Sequence, residues 1–317
     1  MKGPLVSVII PTYDRSSIIG RTIENVLQQT YSNIEIIVVD DGSTDDTQSV
    51  LKSYGERIRL VAQENAGPAA ARNHGIKVAR GEIISFQDSD DLWKAAKIER
   101  QIALLEHAGP SVPCCLCNTT MNFATVTTAF DNAPIVPAFD EGIWTNAPEI
   151  FATRFVLFNQ AVAVRREALE KVGGFDESLR SLEDYDLALK LSIEGPWAFI
   201  REPLVEWCGG MSNSLYQETL GKQVRLKENH IKIHESFLAR LGDSEKFTEL
   251  RKTVRREIKR DYRQLRAAKL KQMGGWSATA AGDFLHQVEQ WRKSLFGRSP
   301  WCPKMEAVAL AGAKNEV

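Results

Sequence analysis

The chain has 317 residues, 43% of them hydrophobic and 26% charged, with 40 Lys and Arg against 41 Asp and Glu. That composition excludes disorder, a collagen-like repeat and a disulfide-rich mini-scaffold, and the length suffices for about two domains or one core with an extension. The net charge of −1 hides a segregation: residues 251–271 hold ten basic and two acidic side chains, a net +8, which leaves −9 on the rest. Five cysteines are too few and wrongly spaced for a disulfide framework, which points to a reducing cytosol. No stretch reaches the ~18 consecutive apolar residues of a membrane span. The start, Met1-Lys2-Gly3-Pro4, lacks the apolar region of a signal peptide. The expected location is therefore the cytoplasm, with a peripheral position on the inner face of the membrane left open by the basic segment.

Along residues 1–105, strand and helix signals alternate. Residues 6–11 (VSVIIP) are a short β-branched run, and residues 17–29 place Ile18, Ile19, Thr22, Ile23, Val26 and Leu27 on one helical face. Residues 34–39 (IEIIVV) predict a second strand, stopped by Asp40-Asp41-Gly42-Ser43. A polar helix at 45–53, a strand at 58–62, an Ala-rich helix at 69–79 and a strand at 82–86 follow. Such spacing gives parallel βαβ units, in which ligands sit at the carboxyl ends of the strands. Those ends carry Tyr13-Asp14, Asp40-Asp41 and Asp88-Ser89-Asp90-Asp91.

Residues 106–215 are mixed, with strands expected at 114–123 and 161–164. A short helix at 166–172 ends in Gly173-Gly174, and an acidic helix spans 181–193. From about residue 212 the chain reads as helices to 271, a break at Gly274-Gly275, an amphipathic stretch at 284–295 and a loose tail from 300. The domain division is therefore 1–105, 106–215 and a helical extension at 216–317.

Asp88-Ser89-Asp90 sets two carboxylates two residues apart just after a strand, so a turn can aim both at one point. Such a pair either holds Mg²⁺ or Mn²⁺ shared with substrate phosphates, or forms a solvated turn that caps the next helix. Its place at a strand end, with Asp41 at a neighbouring one, favours the metal. Asp41 can accept from a base imide N–H or only form a turn. Tyr13 offers a stacking face or is a rim tyrosine, and Arg72 either pairs with a diphosphate or lies on the helix surface. Glu183 and Asp184 open a helix, where the dipole favours acids, and either could serve as a general base.

In order, the blocks are VSVIIPTYDR at 6–15, VVDDGSTD at 38–45, Asn65-Ala66-Gly67-Pro68 with Ala71-Arg72-Asn73, Asp88-Ser89-Asp90-Asp91, Gly173-Gly174-Phe175-Asp176-Glu177 and Glu183-Asp184-Tyr185-Asp186-Leu187. This set, covering residues 5–215, strongly resembles the inverting glycosyltransferases of family 2. The resemblance implies an α/β GT-A fold, a Rossmann-like mixed sheet. It also implies a nucleotide-sugar donor, a UDP-sugar in first place, and a saccharide or lipid-linked saccharide acceptor in envelope polysaccharide assembly. Pro11, Tyr13 and Asp41 would hold the base, with Asp14, Gly67 and Arg72 lining the donor site. Asp88 and Asp90 would bind Mn²⁺ or Mg²⁺, with Asp91 and Glu183 as supporting acids and Asp184 as the catalytic base. Many relatives carry a histidine near the end of this domain that reaches the metal or diphosphate. The stretch from Trp207 to Ser214 has none, so a third metal contact stays unassigned.

Rival readings are weaker. A nucleotidyltransferase of a related fold needs a glycine-rich basic loop after the first strand, and a dinucleotide dehydrogenase needs G-x-G-x-x-G there; Pro11-Thr12-Tyr13-Asp14-Arg15 supplies neither. A donor-binding pseudoenzyme is disfavoured by the presence of Asp88, Asp90 and Asp184. Cys114-Cys115-x-Cys117 reads as buried strand cysteines rather than zinc ligands. His230 and His234 share a helical face without a matching carboxylate in view. Trp93, Trp144, Trp197 and Trp207 read as core or rim rather than a sugar platform. On residues 251–271, Val254, Ile258, Tyr262 and Leu265 form a narrow apolar stripe. It packs on the body, or the segment docks on an anionic membrane; nucleic acid is not an expected partner, since no nucleic-acid motif accompanies the charge.

Overall fold

A computed structural model of the protein describes residues 3–122, 126–154, 156, 159–179, 181–208, 223–273 and 305–307. The β-branched runs become β1 (Val6–Thr12), β2 (Ile34–Asp40), β3 (Arg59–Ala62) and β4 (Ile83–Phe86). They are parallel, in the order β3-β2-β1-β4. Helices α1 (Ile19–Leu27), α2 (Thr47–Lys52) and α3 (Pro68–Val78) make the crossovers. β1 and β4 are buried almost throughout, which explains why they read as unbroken apolar runs rather than alternating ones. The helix α3 lies so close to β1 that a Cβ on Gly75 would sit 2.4 Å from the Ile9 side chain.

The sheet continues without interruption into the second half. There the elements are β5 (Leu92–Trp93), α4 (Lys97–Ala108), β6 (Cys114–Asn122), β7 (Val126–Thr128) and α5 (Ala129–Asn132). Next come β8 (Glu141–Trp144), α6 (Ala147–Thr153), β9 (Val162–Arg165), α7 (Arg166–Val172), α8 (Glu183–Ser192) and β10 (Trp197–Trp207). β9 runs antiparallel between β4 and β6, so it joins the two halves by hydrogen bonds. The full order is β11-β8-β10-β6-β9-β4-β1-β2-β3, where β11 is Met305–Ala307; β5 pairs with β10 and β7 with β6. The expected mixed α/β sheet is present.

The helical extension comprises α9 (Gln223–Arg240) and α10 (Thr248–Met273), which pack on each other; α9 also touches α8, and α10 touches α6. Val254 and Leu265 are buried and Ile258 packs against the core, so three members of the apolar stripe face inward. Tyr262 departs from that expectation. It is 51% exposed and its hydroxyl donates to Glu235 Oε1 at 2.9 Å. Trp93, Trp144 and Trp197 are core residues, with Trp144 stacked on Phe199 at 5.0 Å and Trp197 against Phe151 at 4.6 Å, while Trp207 is half-buried. Cys114, Cys115 and Cys117 are buried free thiols, and burial pushes each above its ordinary range, Cys117 to about 11. The stretch 209–214, the break at Gly274-Gly275, the amphipathic stretch at 284–295 and most of the tail from 300 lie outside the described residues.

Candidate active site

Because β1, β2 and β4 are parallel, their carboxyl ends deliver Tyr13-Asp14, Asp40-Asp41 and the Asp88 turn to one edge of the sheet. Two ladder-like bonds extend past the strands, Asp41 N to Thr12 O and Gln87 N to Ile9 O, both 2.9 Å, and fix the relative height of these ends. Tyr13 follows Pro11 and Thr12 and is 43% exposed, a free aromatic face at the rim. Its hydroxyl is held above its ordinary range by the neighbouring Asp14 carboxylate. Asp14 itself adopts a positive φ of 50° and accepts from Thr44 N at 2.7 Å, while its own N–H donates to Ser43 Oγ at 3.0 Å. Its carboxylate thus braces the loop after β2.

Asp41 is only 4% exposed. Its Oδ1 accepts from Gln63 Nε2 at 2.7 Å and Ala66 N at 2.9 Å, and its Oδ2 from Gly67 N at 2.8 Å. An ionised carboxylate has about four acceptor positions, so roughly one remains for a ligand donor. Gly67 is the N-cap of α3 at φ 94°, followed by Pro68 at the first helical turn. No atom lies within 4 Å of where its Cβ would be, so the glycine serves the backbone conformation and leaves open space beside Asp41. His74 Nδ1 lies 2.9 Å from Gln63 Oε1 and orients that amide.

At the β4 end, α1 holds the backbone of the acidic turn. Thr22 Oγ1 donates to Ser89 O at 2.8 Å and Arg21 Nη2 to Asp90 O at 3.1 Å. Burial and the Asp88 charge raise the Asp90 carboxyl above the usual carboxylate range. Asp91 is buried and raised further, by burial first and then by Asp88 and Asp90. It accepts from Gln160 Nε2 at 2.5 Å and from Cys208 N at 2.8 Å, so it ties β10's exit to the turn instead of facing a ligand.

Arg72 projects from α3 into this edge and is 5% exposed. Its Nη2 donates to Asp88 Oδ1 at 2.7 Å and its Nη1 to Glu183 Oε1 at 2.9 Å. Both ends of the guanidinium fork are therefore taken by carboxylates, and a diphosphate would meet an arginine already neutralised. Glu183 is the far pillar of this bridge. Asn73, one residue on, captures the glycine block. Its Oδ1 accepts from Phe175 N at 2.9 Å and its Nδ2 donates to Phe175 O at 3.0 Å. Gly173 caps α7 in the left-handed region, and a Cβ on Gly174 would lie 2.7 Å from Asn73 Oδ1.

The helix α8 then opens at Leu182, a non-glycine residue at φ 65°, with Glu183, Asp184 and Asp186 in its first turn. Asp184 Oδ1 accepts from Tyr185 N at 2.8 Å. Burial, then the Glu183 charge, hold the Asp184 carboxyl well above the usual carboxylate range, against the pull of Arg72. A partly exposed carboxylate with a raised proton affinity suits proton abstraction near neutral pH. Sequence reasoning did not find Gln63, Asn73, His74 or Gln160. Their partners lie 11 to 102 residues away in the chain, and no local spacing signals such pairs.

A carboxylate does reach His230 and His234, contrary to the expectation from spacing. Asp261 of α10 approaches them, with His230 Nδ1 at 2.6 Å and His234 Nδ1 at 3.5 Å from its Oδ2. The 2.6 Å separation is a hydrogen bond, and Lys227 Nζ donates to Asp261 Oδ1 at 3.2 Å, so a positive group already occupies the cluster.

An α/β sheet with converging acids at its strand ends, faced by a raised carboxyl on a neighbouring helix, is a candidate active site. Residues 7–171 match the model of the family described as glycosyl transferase family 2, and the chain belongs to that family. It is 31% identical to chondroitin synthase of Escherichia coli over 75% of this chain and 33% of that protein. It is 33% identical to the glycosyltransferase RT0329 of Rickettsia typhi over 64% of each chain, so it spans less than two thirds of either relative. Among solved structures, residues 1–349 of S. aureus TarS superpose with a TM-score of 0.64 at 19% identity, covering 92% of this chain and 83% of that one. The mannosyltransferase PcManGT of Pyrobaculum calidifontis gives 0.60 at 22% identity, covering 93% and 86%. The fold is the GT-A fold.

Proposed function

We propose that this glycosyltransferase moves a sugar from a nucleoside diphosphate donor, a UDP-sugar in first place, to a hydroxyl of a saccharide or lipid-linked saccharide, with inversion at the anomeric carbon. The observation that carries this reading is the Arg72 bridge. It binds Asp88, at the donor edge, to Glu183, beside Asp184, at 2.7 and 2.9 Å. Two acidic motifs with opposite tasks thereby share one site. Tyr13 would stack on the base, and the remaining acceptor position of Asp41 would take an imide N–H, in the open space beside Gly67. Asp184 would remove the proton of the acceptor hydroxyl as that oxygen attacks the anomeric carbon from the face opposite the diphosphate. The proton ends on the carboxylate and the electron pair of the breaking C–O bond on the leaving diphosphate.

The donor set fits a hard divalent cation. Asp88 and Asp90 offer carboxylate oxygens on one turn, and the Asp90 carboxyl is raised first by burial and then by the Asp88 charge, both of which a cation offsets. When bound, Mn²⁺ or Mg²⁺ would supply Lewis-acid stabilisation of the developing diphosphate charge. Support comes from neighbours of the same fold: TarS is solved with UDP-GlcNAc, and PcManGT with GDP-Man and Mn²⁺. The relation to chondroitin synthase supports a polysaccharide acceptor. No described helix is long and apolar enough to cross a membrane. Any membrane contact through 251–271 would rest on charge, because most of the apolar stripe is packed inward.

Thermal shift with a panel of nucleotide sugars, with and without Mn²⁺, tests the donor reading, since a ligand of the folded state raises apparent stability by mass action. Asp90→Ala should abolish the Mn²⁺-dependent part of the shift. Asp184→Asn should keep it while losing UDP release and transfer. Transfer at the wild-type rate by Asp184→Asn would remove that residue from the base role.

A further inference from the structure

The helical extension meets the residue that follows Asp184. Tyr185 turns into the seam with α9, where its ring stacks on His230 at 5.0 Å with planes 7° apart. Its hydroxyl pairs with His234 Nε2 at 2.8 Å. Both histidines reach Asp261 of α10, whose side chain is wholly buried and whose second oxygen is held by Lys227. The same helix α9 grips the loop leading into α8: Asn229 Nδ2 donates to Ser181 Oγ at 3.1 Å, and Lys232 Nζ to Ser178 Oγ at 2.6 Å. Between these grips sits Leu182 at φ 65°, a conformation that costs an ordinary residue on the order of 1–2 kcal/mol and persists only where neighbours impose it.

We propose that the extension is a positioning device for the candidate base, and that Tyr185, His234 and Asp261 are its positioning residues. The chain of contact is short. Asp261 hydrogen-bonds His230 and lies 3.5 Å from His234, the two imidazoles hold the Tyr185 ring and hydroxyl, and the Tyr185 backbone N–H fixes the Asp184 carboxylate at 2.8 Å. A helix can rotate about its axis when only apolar side chains hold it. A stacked ring with a directional hydrogen bond at its tip removes that freedom, and buried polar networks of this kind specify one arrangement. The inference deepens the proposed function, because it rests on Asp184 as the base.

Two measurements keep the failure of either idea separate. In the first, hydrogen exchange of the segment 183–192 is followed by mass spectrometry in wild type and Tyr185→Phe, which keeps the ring and removes the hydroxyl. Exchange should accelerate roughly tenfold there, as expected for one lost hydrogen bond, and stay unchanged in β1 and β2. Unaltered exchange in 183–192 overturns the clamp whatever the enzyme does. In the second, Mn²⁺-dependent UDP release is measured with UDP-glucose, UDP-GlcNAc and UDP-GalNAc. Tyr185→Phe and His234→Leu should lower kcat about tenfold with KM within twofold, and His234→Gln, whose amide can still reach the tyrosine hydroxyl, should recover most of it. Wild-type kcat in Tyr185→Phe alongside an inactive Asp184→Asn overturns the clamp. An active Asp184→Asn instead overturns the base assignment and leaves the exchange measurement to decide the clamp.

Discussion

His230 makes the stability of this fold depend on pH between about 4 and 6.5. Its ring is buried between Tyr185 and His234, and its Nδ1 bonds Asp261. Burial first, then the neighbouring His234, hold its proton affinity down to about 4, against the pull of Asp261 and with a further push from Lys227. The unfolded chain, with an ordinary imidazole near ~6.5, therefore binds more protons than the folded one between about pH 4 and 6.5. Stability rises with pH across that window and is lost as pH falls through it. That depression corresponds to ~3 kcal/mol in full, of which ~2.5 kcal/mol is already lost at pH 4.5. Asp261 is held well below the usual carboxylate range, so its contribution is lost only at more acidic pH, as the unfolded carboxylate becomes protonated. Urea unfolding of wild type and His230→Gln at pH 7.5, 6.5, 5.5 and 4.5 isolates the effect, because all other titrating groups are shared. Glutamine retains a donor for Asp261 and does not titrate. The wild type should lose ~2–3 kcal/mol more than the variant between pH 7.5 and 4.5. Parallel pH profiles would refute the reasoning.

Arg72→Gln leaves Asp88 and Glu183 facing each other without their shared cation. Removing one partner of a buried pair costs ~3–5 kcal/mol, so the melting temperature followed by circular dichroism should fall by roughly 5–15 °C, and an unchanged melt would contradict the bridge. Gly75→Ala gains ~1 kcal/mol of helix propensity but forces α3 off Ile9, at a cost of ~1–3 kcal/mol, so chemical denaturation should show a net loss. Reversing Arg255, Arg256, Lys259 and Arg263 to Glu tests the exposed basic face of α10. If that face binds anionic lipid at ~1 kcal/mol per residue, sedimentation with phosphatidylglycerol vesicles should fall more than a hundredfold, and equal sedimentation would return α10 to packing alone.

The strands of the first half were legible because burial on both faces leaves a plain apolar run between turn residues. β10 was not, because WAFIREPLVEW carries charges at Arg201, Glu202 and Glu206 and a register shift at Pro203, which break both the run and the alternation. The helix α4 hid for a related reason. Lys97 and Gln101 look solvent-facing, yet both are buried, with Lys97 Nζ over the Trp93 ring at 3.8 Å and bonded to Gln101. Among site residues, Tyr13, Asp41, Asp88 and Asp90 follow from strand ends, which hydropathy marks well. The engagement of Arg72 by Glu183 spans 111 residues, and the His230–Asp261 contact spans 31 between two helices. Pairings set by packing leave no trace in local spacing.

The antiparallel strand β9, hydrogen-bonded to β4 on one side and β6 on the other, has a mechanical meaning. The two halves of the sheet are stretches of one pleated surface, so bending one toward the other would shear a ladder of buried backbone bonds. Closure around substrates then falls to loops, side chains and the seating of α8, motions that leave the sheet rigid. On the proposed assignment of Asp184, the seating of α8 against the C-terminal helices, rather than a hinge in the sheet, is where the position of the base would be adjusted.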